Sequence, residues 1–321
     1  MAKRFWQFLI TGVKMNKFIL SAFLMMLACF NTSVYSKTWP EKEIILIVPF
    51  PPGGIVDNIA RSFAEDLPKV VNKPVIVKNV PGAFNVLAIN ELLKNDPNHT
   101  FIISIGSIVH SGIAKDNDLY KELIPNMVVG SSKITVFKNK NANTEEFLQQ
   151  IRGKLPVLVA GGDTIEPGHM WLASIENANI QMIPFKGATE VIRSVIQNEP
   201  KWGMCSILCL WNFLKNDQVE VAFISSSRRS QFLPQVPTAK ELGLQTSSYN
   251  FDTIYLIASN KRISSEVAEQ MNAALKKVGS TNNNIQNFSK NGLDINLTNI
   301  SDSAKIWAEQ EKMAKQYFKK N

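Results

Sequence analysis

Histidine and cysteine are both scarce in this chain, which has three of each among its 321 residues. So few histidines disfavour a zinc or copper centre, because imidazole is a principal ligand of both metals. So few cysteines disfavour a scaffold that depends on several disulfides. Cys205 and Cys209 are four residues apart, a spacing that favours two buried thiols on one helical face over a disulfide.

Dense runs of Lys and Arg with interleaved aromatic residues are also missing after residue 36. Such runs mark surfaces that bind nucleic acid, so we expect no nucleic-acid partner. The composition is that of an ordinary globular protein, with 45% hydrophobic and 19% charged residues. A chain of this length and composition is long enough for two compact α/β domains.

The N-terminal segment has the three parts of a signal peptide. Lys14 and Lys17 precede an apolar run of 13 residues, Phe18 to Phe30, and Val34-Tyr35-Ser36 follows as the cleavage site. The run is too short to span a bilayer, which takes about 20 helical residues. We therefore predict a cleaved signal peptide at residues 1–36 and a periplasmic location. Its removal lowers the net charge from +8 to +4, because it carries four basic residues and no acidic one.

Two alternatives stay open within this segment. Met15 is a second candidate for the first residue of the protein. Cys29 is a candidate for lipid attachment, although the chain has Met26 where a lipidated cysteine usually has Leu three positions before it. Cleavage after Ser36 is the favoured interpretation.

Apolar runs alternate with helical patterns through the rest of the chain. Ile44 to Phe50 is continuously apolar, as in a strand covered on both faces, and apolar residues then recur every four positions in a helix that Pro68 closes. Further strands are predicted at Pro74–Lys78, Phe101–Ile105, Pro156–Ala160, Gln181–Phe185, Met204–Ser206, Val219–Ser225 and Thr253–Ala258. Further helices are predicted through Ile89 and Leu93, and at His169–Asn177, Ala188–Gln197, Ser265–Val278 and Asp302–Lys319, with Ser264 and Ser301 as N-caps of the last two.

This alternation predicts an α/β fold of two domains, each built from right-handed βαβ units around a mainly parallel sheet. The strand at Thr253–Ala258 is expected to cross back to the first domain. We expect domain 1 to contain residues 37–136 and 251–321, and domain 2 to contain residues 137–250.

Three glycine-containing loops follow the first three strands. Gly53-Gly54 lies between the buried first strand and a helix, where backbone amides under the positive end of the helix dipole can hold an anion. The alternative is a tight connecting turn in which Asp57 only offsets the dipole. Gly82 follows the second strand and Gly106-Ser107 ends the third. Since parallel strands end at one edge of a sheet, the loops are expected to meet there and form a ligand site.

Several segments carry a resemblance to a known family. Residues 47–61, Ile-Val-Pro-Phe-Pro-Pro-Gly-Gly-Ile-Val-Asp-Asn-Ile-Ala-Arg, and residues 74–83, Pro-Val-Ile-Val-Lys-Asn-Val-Pro-Gly-Ala, resemble the opening of the Bug family, the solute receptors of tripartite tricarboxylate transporters. Gly168-His169, Ile183 to Ala188 and Leu233 to Thr238 resemble later segments of the same family. The resemblance covers nearly the whole chain after residue 36.

The resemblance implies a type II periplasmic-binding-protein fold, with two α/β domains joined by two crossing segments and closing on a small carboxylate. It implies delivery of that ligand to a membrane permease, no catalysis and no cofactor, and we expect a monomer. Phe50, Pro51, Gly53, Gly54 and Asp57 match the first ligand loop. The remaining matched or neighbouring positions are Gly82, Ala83, Asn85, Ser107, Gly168, His169, Lys186, Gly187, Cys205 and Ser206.

The chain departs from the family pattern at several of these positions. It has Asn85 where members usually have Gly, Glu166-Pro167-Gly168 where they have hydroxyl residues, and Cys205-Ser206 where they have an aspartate nearby. Asn tolerates the left-handed backbone that a glycine turn uses. A carboxylate at Glu166 would repel an anionic ligand unless it faces a ligand amine or lies outside the cleft.

Other interpretations of these residues remain open. Asp163, Glu166 and His169 match no specific metal-binding pattern, and His169 is expected to hydrogen-bond at the cleft or hinge. A hydrolase would pair Ser206 or Cys205 with His169, but neither residue lies in a Gly-x-Ser-x-Gly elbow. Trp202, Trp211 and Phe213 are expected in the core rather than against a ligand. A sensor that presents its ligand to a membrane kinase is the main alternative to transport, since both use the same closure.

Overall fold

The strand predicted at Ile44 to Phe50 spans Ile44–Val48 in the structure and is a central strand of its sheet. The structure is a computed structural model that describes residues 39–162, 167–246, 251–290 and 292–318. The predicted signal peptide, Cys29, Asp163 and Glu166 lie outside the described residues. The strands are β1 (Ile44–Val48), β2 (Val75–Asn79), β3 (Thr100–Ile105), β4 (Leu123–Ser132), β5 (Ile134–Lys138), β6 (Val157–Gly162), β7 (Ile180–Phe185), β8 (Trp202–Ser206), β9 (Glu220–Ile224), β10 (Thr253–Asn260) and β11 (Asp294–Ile295).

The helices lie between these strands and after them. They are α1 (Ile55–Asp66), α2 (Pro68–Val71), α3 (Val86–Lys94), α4 (Ser107–Ala114), α5 (Thr144–Gln150), α6 (Pro167–Ala173), α7 (Ala188–Ile196), α8 (Ile207–Lys215), α9 (Ser265–Gly279), α10 (Asn282–Ser289) and α11 (Ile300–Phe318). Short 3₁₀ turns occupy Ala83–Asn85 and Asp118–Glu122. Helix α1 ends just before Pro68, as predicted, because proline cannot donate the next helical hydrogen bond.

The strands form two sheets with helices packed on them. The first sheet has the order β11-β4-β10-β3-β1-β2, and the second has the order β7-β6-β8-β5-β9. Thr253–Ala258 lies in β10 and pairs with β3 and β4, so the predicted return to the first sheet is confirmed. The predicted α/β architecture with two sheets is likewise confirmed. Residues Trp39–Asn321 form one compact unit, which contains both sheets.

The sheets are mixed, whereas the sequence pattern predicts mainly parallel ones. Parallel ladders join β1 to β2 and β3, and β6 to β7 and β8. The ladders that β10 forms with β3 and β4, and that β5 forms with β8 and β9, are antiparallel. The difference arises because β5 and β10 directly follow the crossing segments and enter their sheets from the opposite direction.

Two crossing segments connect the sheets. The first is residue 133 between β4 and β5, and the second lies between β9 and β10, in a stretch of which residues 225–246 and 251–252 are described. An ion pair of 3.3 Å joins Lys133 Nζ of the first segment to Asp252 Oδ2 of the second. Helix α11 adds a third contact between the two halves, since Trp307 packs in a core beside the first sheet and Ala314 packs in the core of the second.

The helix caps confirm one prediction and correct another. The Ser264 hydroxyl accepts a hydrogen bond from the Val267 amide and caps α9, as predicted. Ser301 does not cap α11, because that helix already begins at Ile300. The Asn299 side chain accepts from the Asp302 amide instead, at 2.7 Å. Asn and Ser are both good N-caps, so the pattern alone leaves the start of the helix uncertain by two residues.

A close backbone approach at Gly130 gives a first testable prediction. A Cβ on this residue of β4 would strike the carbonyl oxygen of Asp294 and lie 3.1 Å from the Cα of Ile295, both in the backbone of β11. Because backbone cannot rotate away as a side chain can, we expect Gly130→Ala to lower the free energy of unfolding by about 1–3 kcal/mol in urea titrations. Ser131→Ala, one residue along the strand, is the matched control. Equal losses for the two variants would contradict a specific clash at Gly130.

Candidate ligand cleft

A cavity of about 670 Å³ lies between elements of the two sheets. From the first sheet it is lined by the loop after β1, the start of α1 and part of β10, and from the second by the starts of α7 and α8. Its described lining comprises Phe50, Pro51, Pro52, Gly53, Gly54, Ile55, Val56, Asn58, Ile105, Lys186, Gly187, Ala188, Thr189, Glu190, Ile192, Arg193, Ser206, Cys209, Asn212, Phe213, Asn216, Gln218, Thr253 and Tyr255. The volume is in the range of small-molecule sites.

The loop after β1 is held in place by a buried carboxylate. Asp57 is 1% exposed, and its Oδ2 accepts hydrogen bonds of 2.8 Å from the Gly53 amide and from Arg61 Nε. Its Oδ1 accepts from Asn79 Nδ2 at 2.9 Å, and the same amide group donates to the carbonyl of Phe50 at 3.0 Å. Asp57 therefore does more than offset the helix dipole, because it fixes the loop at both ends.

Two opposing influences set the pKa of the Asp57 carboxyl. Burial raises the pKa, and the hydrogen bonds from Arg61, Gly53 and Asn79 together with the Arg61 charge lower it. The hydrogen bonds and the charge outweigh burial, so the pKa lies below its ordinary value of 3.8. Asp57 is consequently ionised at neutral pH, and its charge is compensated within the loop.

Three helix N-termini converge on the cavity. Helices α1, α7 and α8 begin after Gly54, Gly187 and Ser206, and none of these three residues caps its helix with a side-chain hydrogen bond. The first amides of a helix have no acceptor within it and carry the positive end of the dipole. In α8 the first two of them already donate, Ile207 to the carbonyl of Lys133 at 2.9 Å and Leu208 to Ser132 Oγ at 3.1 Å, so α1 and α7 are the helices that offer amides to a ligand. Gly187 has a φ of 85°, which an L side chain adopts only with strain. The cavity is thus built to attract negative charge from both sheets.

The charged side chains of the cavity lie on α7 and on the loop before it. Glu190 and Arg193 are three residues apart on one face of α7, and Lys186 lies in the loop between β7 and that helix. The Glu190 carboxylate accepts a hydrogen bond of 3.0 Å from the Lys186 amide, which ties it to the loop before its helix. Two cations and one locally bound anion therefore face the cavity in the part of the chain that the structure describes.

A chain of hydroxyl groups forms the floor of the cavity. Ser206 Oγ, at the end of β8, lies 2.9 Å from the hydroxyl of Tyr255 in β10 and donates to Cys209 Sγ at 3.3 Å. Thr253 is 2% exposed, and its Oγ1 has no hydrogen-bond partner among the described residues. The contact between Ser206 and Tyr255 links the two sheets directly beneath the space that a ligand would occupy.

The sequence-predicted residues divide into two groups. Those that line the cavity are Phe50, Pro51, Gly53, Gly54, Lys186, Gly187 and Ser206. Those that do not are Asp57, Gly82, Ala83, Asn85, Ser107, Gly168, His169 and Cys205. Cys205 is buried next to Ser206 in β8.

The second and third glycine loops lie apart from the cavity wall. Ala83 and Phe84 line a separate cavity of about 180 Å³, where Lys115 Nζ lies 4.4 Å from the centre of the Phe84 ring. Ala83, Phe84 and Asn85 all have positive φ, a left-handed backbone that costs non-glycine residues free energy. Asn85 is 1% exposed, and neither amide atom of its side chain has a hydrogen-bond partner among the described residues. Ser107 is fully buried at the start of α4.

Gly168 and His169 begin α6 behind the cavity. Gly168 is packed against the side chains of Met204 and Ile134, and the half-buried His169 ring lies against Gly161 of β6. No group of three or more His, Cys, Asp or Glu side chains within the described ranges is arranged to hold a metal ion. No helix of the described ranges is long and apolar enough to cross a membrane.

Sequence reasoning missed several residues of the cavity. Glu190 and Arg193 were detectable as charged residues in the predicted helix after Lys186-Gly187, whereas Asn212, Thr253 and Tyr255 carry no local signal. Phe213 lines the cavity, although the sequence favours a core position for it. Trp202 is 2% exposed against Phe147, as expected of a core residue, and Trp211 packs against Phe232.

Comparisons with known proteins cover most of the described residues. A family model described as "Tripartite tricarboxylate transporter family receptor" matches residues 59–321. Protein BugT of Bordetella pertussis is 26% identical over 223 residues, which are 65% of this chain and 68% of that protein.

Solved structures are similar in fold. MatC from Rhodopseudomonas palustris with bound malate has a TM-score of 0.77 at 18% identity, over 87% of this chain and 99% of that one. A second R. palustris protein, with adipate, has a TM-score of 0.75 at 17% identity, over 86% of this chain and 98% of that one. At these identities the likeness establishes the periplasmic-binding-protein fold.

Proposed function

The chain belongs to the tripartite tricarboxylate transporter receptor family, and from that premise we propose that it captures a small organic carboxylate in the periplasm by domain closure. It would then deliver the ligand, chemically unchanged, to the membrane permease of a tripartite transporter. The observation that carries this proposal is the meeting of two helix N-termini, that of α1 from the first sheet and that of α7 from the second, on one cavity. Malate and adipate, bound by two proteins of similar fold, are ligands of the proposed class.

The proposed domains follow the division expected from the sequence, with residues 37–136 and 251–321 opposite residues 137–250, except that the first boundary falls at residue 133 because all of β5 pairs within the second sheet. Closure would bring the amides of α1 and those of α7 onto the same ligand, so that contacts from both halves favour the closed form. Residues 1–36 would direct export and be removed.

The proposed ligand-binding residues include positions beyond the present cavity wall. Asn85 and Ser107 are buried polar residues whose side-chain polar atoms have no hydrogen-bond partner among the described residues, as expected of groups that a ligand or an ordered water satisfies in the closed form. The full proposed set is Phe50, Pro51, Gly53, Gly54, Asp57, Gly82, Ala83, Asn85, Ser107, Gly168, His169, Lys186, Gly187, Cys205 and Ser206, with Asp57 acting through the loop it holds.

A thermal-shift screen tests the proposed ligand class. Malate, adipate, citrate, glutamate and benzoate would be added to the purified protein at graded concentrations. A ligand at 100 times its dissociation constant adds about 2.7 kcal/mol to the free energy of unfolding. We expect at least one dicarboxylate or tricarboxylate to raise the melting temperature in a saturable way.

Two variants control the screen. The double variant Lys186→Ala with Arg193→Ala removes the cations of the cavity and should reduce the shift, while Lys240→Ala, an exposed lysine elsewhere, should leave it unchanged. A shift by glutamate with none by the simple carboxylates would contradict the proposed class and implicate a ligand amine. Absence of any shift with all five compounds would contradict the proposal itself.

A further inference from the structure

Two thiols lie together in the wall of the cleft. Cys209, in the first turn of α8, lines the cavity and is half-buried, whereas Cys205 in β8 is 4% exposed. Both belong to one packed cluster of the second half, and the structure holds both as thiols. They do not share the helical face that their spacing predicts, because Cys205 lies in a strand and Cys209 in the helix after it, so the objection to a disulfide within one helix does not apply. A small molecule in the cavity can reach Cys209, while Cys205 is buried beside it.

The surroundings of Cys209 stabilise a thiolate. The Ser206 hydroxyl donates to its sulfur at 3.3 Å, and the Tyr255 hydroxyl lies 2.9 Å from Ser206 Oγ and extends the hydrogen-bonded chain. A hydrogen bond from the Cys205 thiol is the largest cause of a lowered pKa, burial opposes it, and bonds from Ser206 and Tyr255 reinforce it, which brings the pKa of Cys209 to about 7. The position in the first turn of α8 acts in the same direction.

We propose that Cys209 and Cys205 form a redox-active dithiol that reacts with small-molecule disulfides entering the cleft. In the first step the Cys209 thiolate attacks one sulfur of the disulfide, a mixed disulfide forms, and the other half leaves as a thiolate. In the second step Cys205 loses its proton and attacks Cys209 Sγ. An intrachain disulfide forms and the second half leaves as a thiol, so the dithiol is oxidised as the incoming disulfide is reduced.

The two roles follow from exposure and hydrogen bonding. Cys209 is the nucleophile because it faces the cavity and its sulfur accepts the Ser206 bond. Cys205 is the resolving thiol because it is buried beside Cys209 and donates to it. Oxidation to the disulfide would remove the ionisable thiol of Cys209 from the wall of a cavity that attracts anions. The proposal does not depend on the ligand of the receptor, so it can fail without affecting the proposed function.

The test uses dithiobis-nitrobenzoate, an aromatic disulfide that releases a coloured thiolate at each step. Cys29→Ser is introduced throughout, so that Cys205 and Cys209 are the remaining thiols. We expect the native protein to release two coloured thiolates per chain and to end without a bound aryl group, its mass lowered by two hydrogens. The rate should rise with pH through a midpoint of about 7, below the ordinary thiol value of 9.0.

Single variants separate the two steps. Cys205→Ser should release one thiolate and retain the aryl group, and Cys209→Ser should react at least about tenfold more slowly than the parent protein. Circular dichroism checks that both variants fold. If either variant does not fold, the mass of the product formed by the parent protein still tests the proposal. A parent product that keeps an aryl group overturns the resolving role of Cys205. Reaction only after unfolding in urea, or a Cys209→Ser variant as fast as the parent, overturns the proposal.

Discussion

Asp57→Asn is expected to lower the free energy of unfolding by about 3 kcal/mol at pH 7 and to weaken ligand binding. The carboxylate accepts from Gly53, Arg61 and Asn79, all of which are donors. An asparagine has one acceptor oxygen, and its amide group would face a donor on the other side. The variant thus leaves buried donors unpaired without creating a cavity, and such groups cost about 1–3 kcal/mol each.

Urea titration of this variant has a matched control on the same helix. Glu65→Gln makes the same chemical change at an exposed carboxylate of α1 and should alter stability by less than about 0.5 kcal/mol. Because the Asp57 bonds fix the loop from Phe50 to Gly53, we also expect the thermal shift by malate or adipate to fall in Asp57→Asn only. Equal behaviour of the two variants would show that the buried carboxylate does not organise the loop.

The effect of Asp57 on stability should also depend on pH. Its pKa in the folded protein lies below 3.8, so its ionised form stabilises the fold above that pH and the stabilisation is lost as pH falls through the folded pKa. The difference in unfolding free energy between the parent protein and Asp57→Asn should therefore shrink between pH 7 and pH values well below 3.8. A difference that grows on acidification would contradict the lowered pKa.

Thr189→Asp is expected to weaken carboxylate binding by about 100-fold while leaving the fold intact. Thr189 is exposed to the cavity in the first turn of α7. A carboxylate there interacts favourably with the dipole of its own helix, by about 0.3–1 kcal/mol. The same charge at about 5 Å from a bound carboxylate costs about 3 kcal/mol at an effective dielectric constant of about 20. Stability and affinity should thus change in opposite directions.

Isothermal titration with malate or adipate, whichever binds the parent protein, measures this effect. Thr189→Asn has nearly the shape of the aspartate and no charge, so it separates electrostatic repulsion from a change in shape. We expect Thr189→Asn to bind within a few-fold of the parent protein. If both variants lose affinity equally, charge at the N-terminus of α7 is not what selects the ligand.

The elements that the sequence predicts are those with a local signal. The strand Ile44–Val48 is a continuous apolar run, and α1 has a regular spacing with a proline after its end. Strand β4 was not predicted, because Pro125, Asn126 and Gly130 interrupt its apolar pattern. Its extended form depends on pairing with β10, more than a hundred residues further along the chain.

The residues of the cavity also divide into those with a local sequence signal and those without one. Gly53, Gly54 and Gly187 were predictable because each lies between a strand and a helix. The cavity residues of α8 were not, because the placement of that helix depends on long-range packing. Leu208 is buried in the core beside the first sheet, and its amide donates to Ser132 Oγ at 3.1 Å. These contacts aim Asn212 and Phe213 at the cavity, and no local pattern encodes them.

The order of the strands also fixes the order in which the two halves can be completed during synthesis. β10 lies between β4 and β3 in the interior of the first sheet, so the middle of that sheet cannot form until residue 260 has been made, and its edge strand β11 follows at residue 295. The second sheet uses only residues 134 to 224, and all its strands are available earlier. Pairing across such long sequence separation is slow to form. The half that contains the first strand of the chain is therefore the last to be assembled, and until then the edges of β3 and β4 that β10 will cover are exposed to mispairing or to a chaperone.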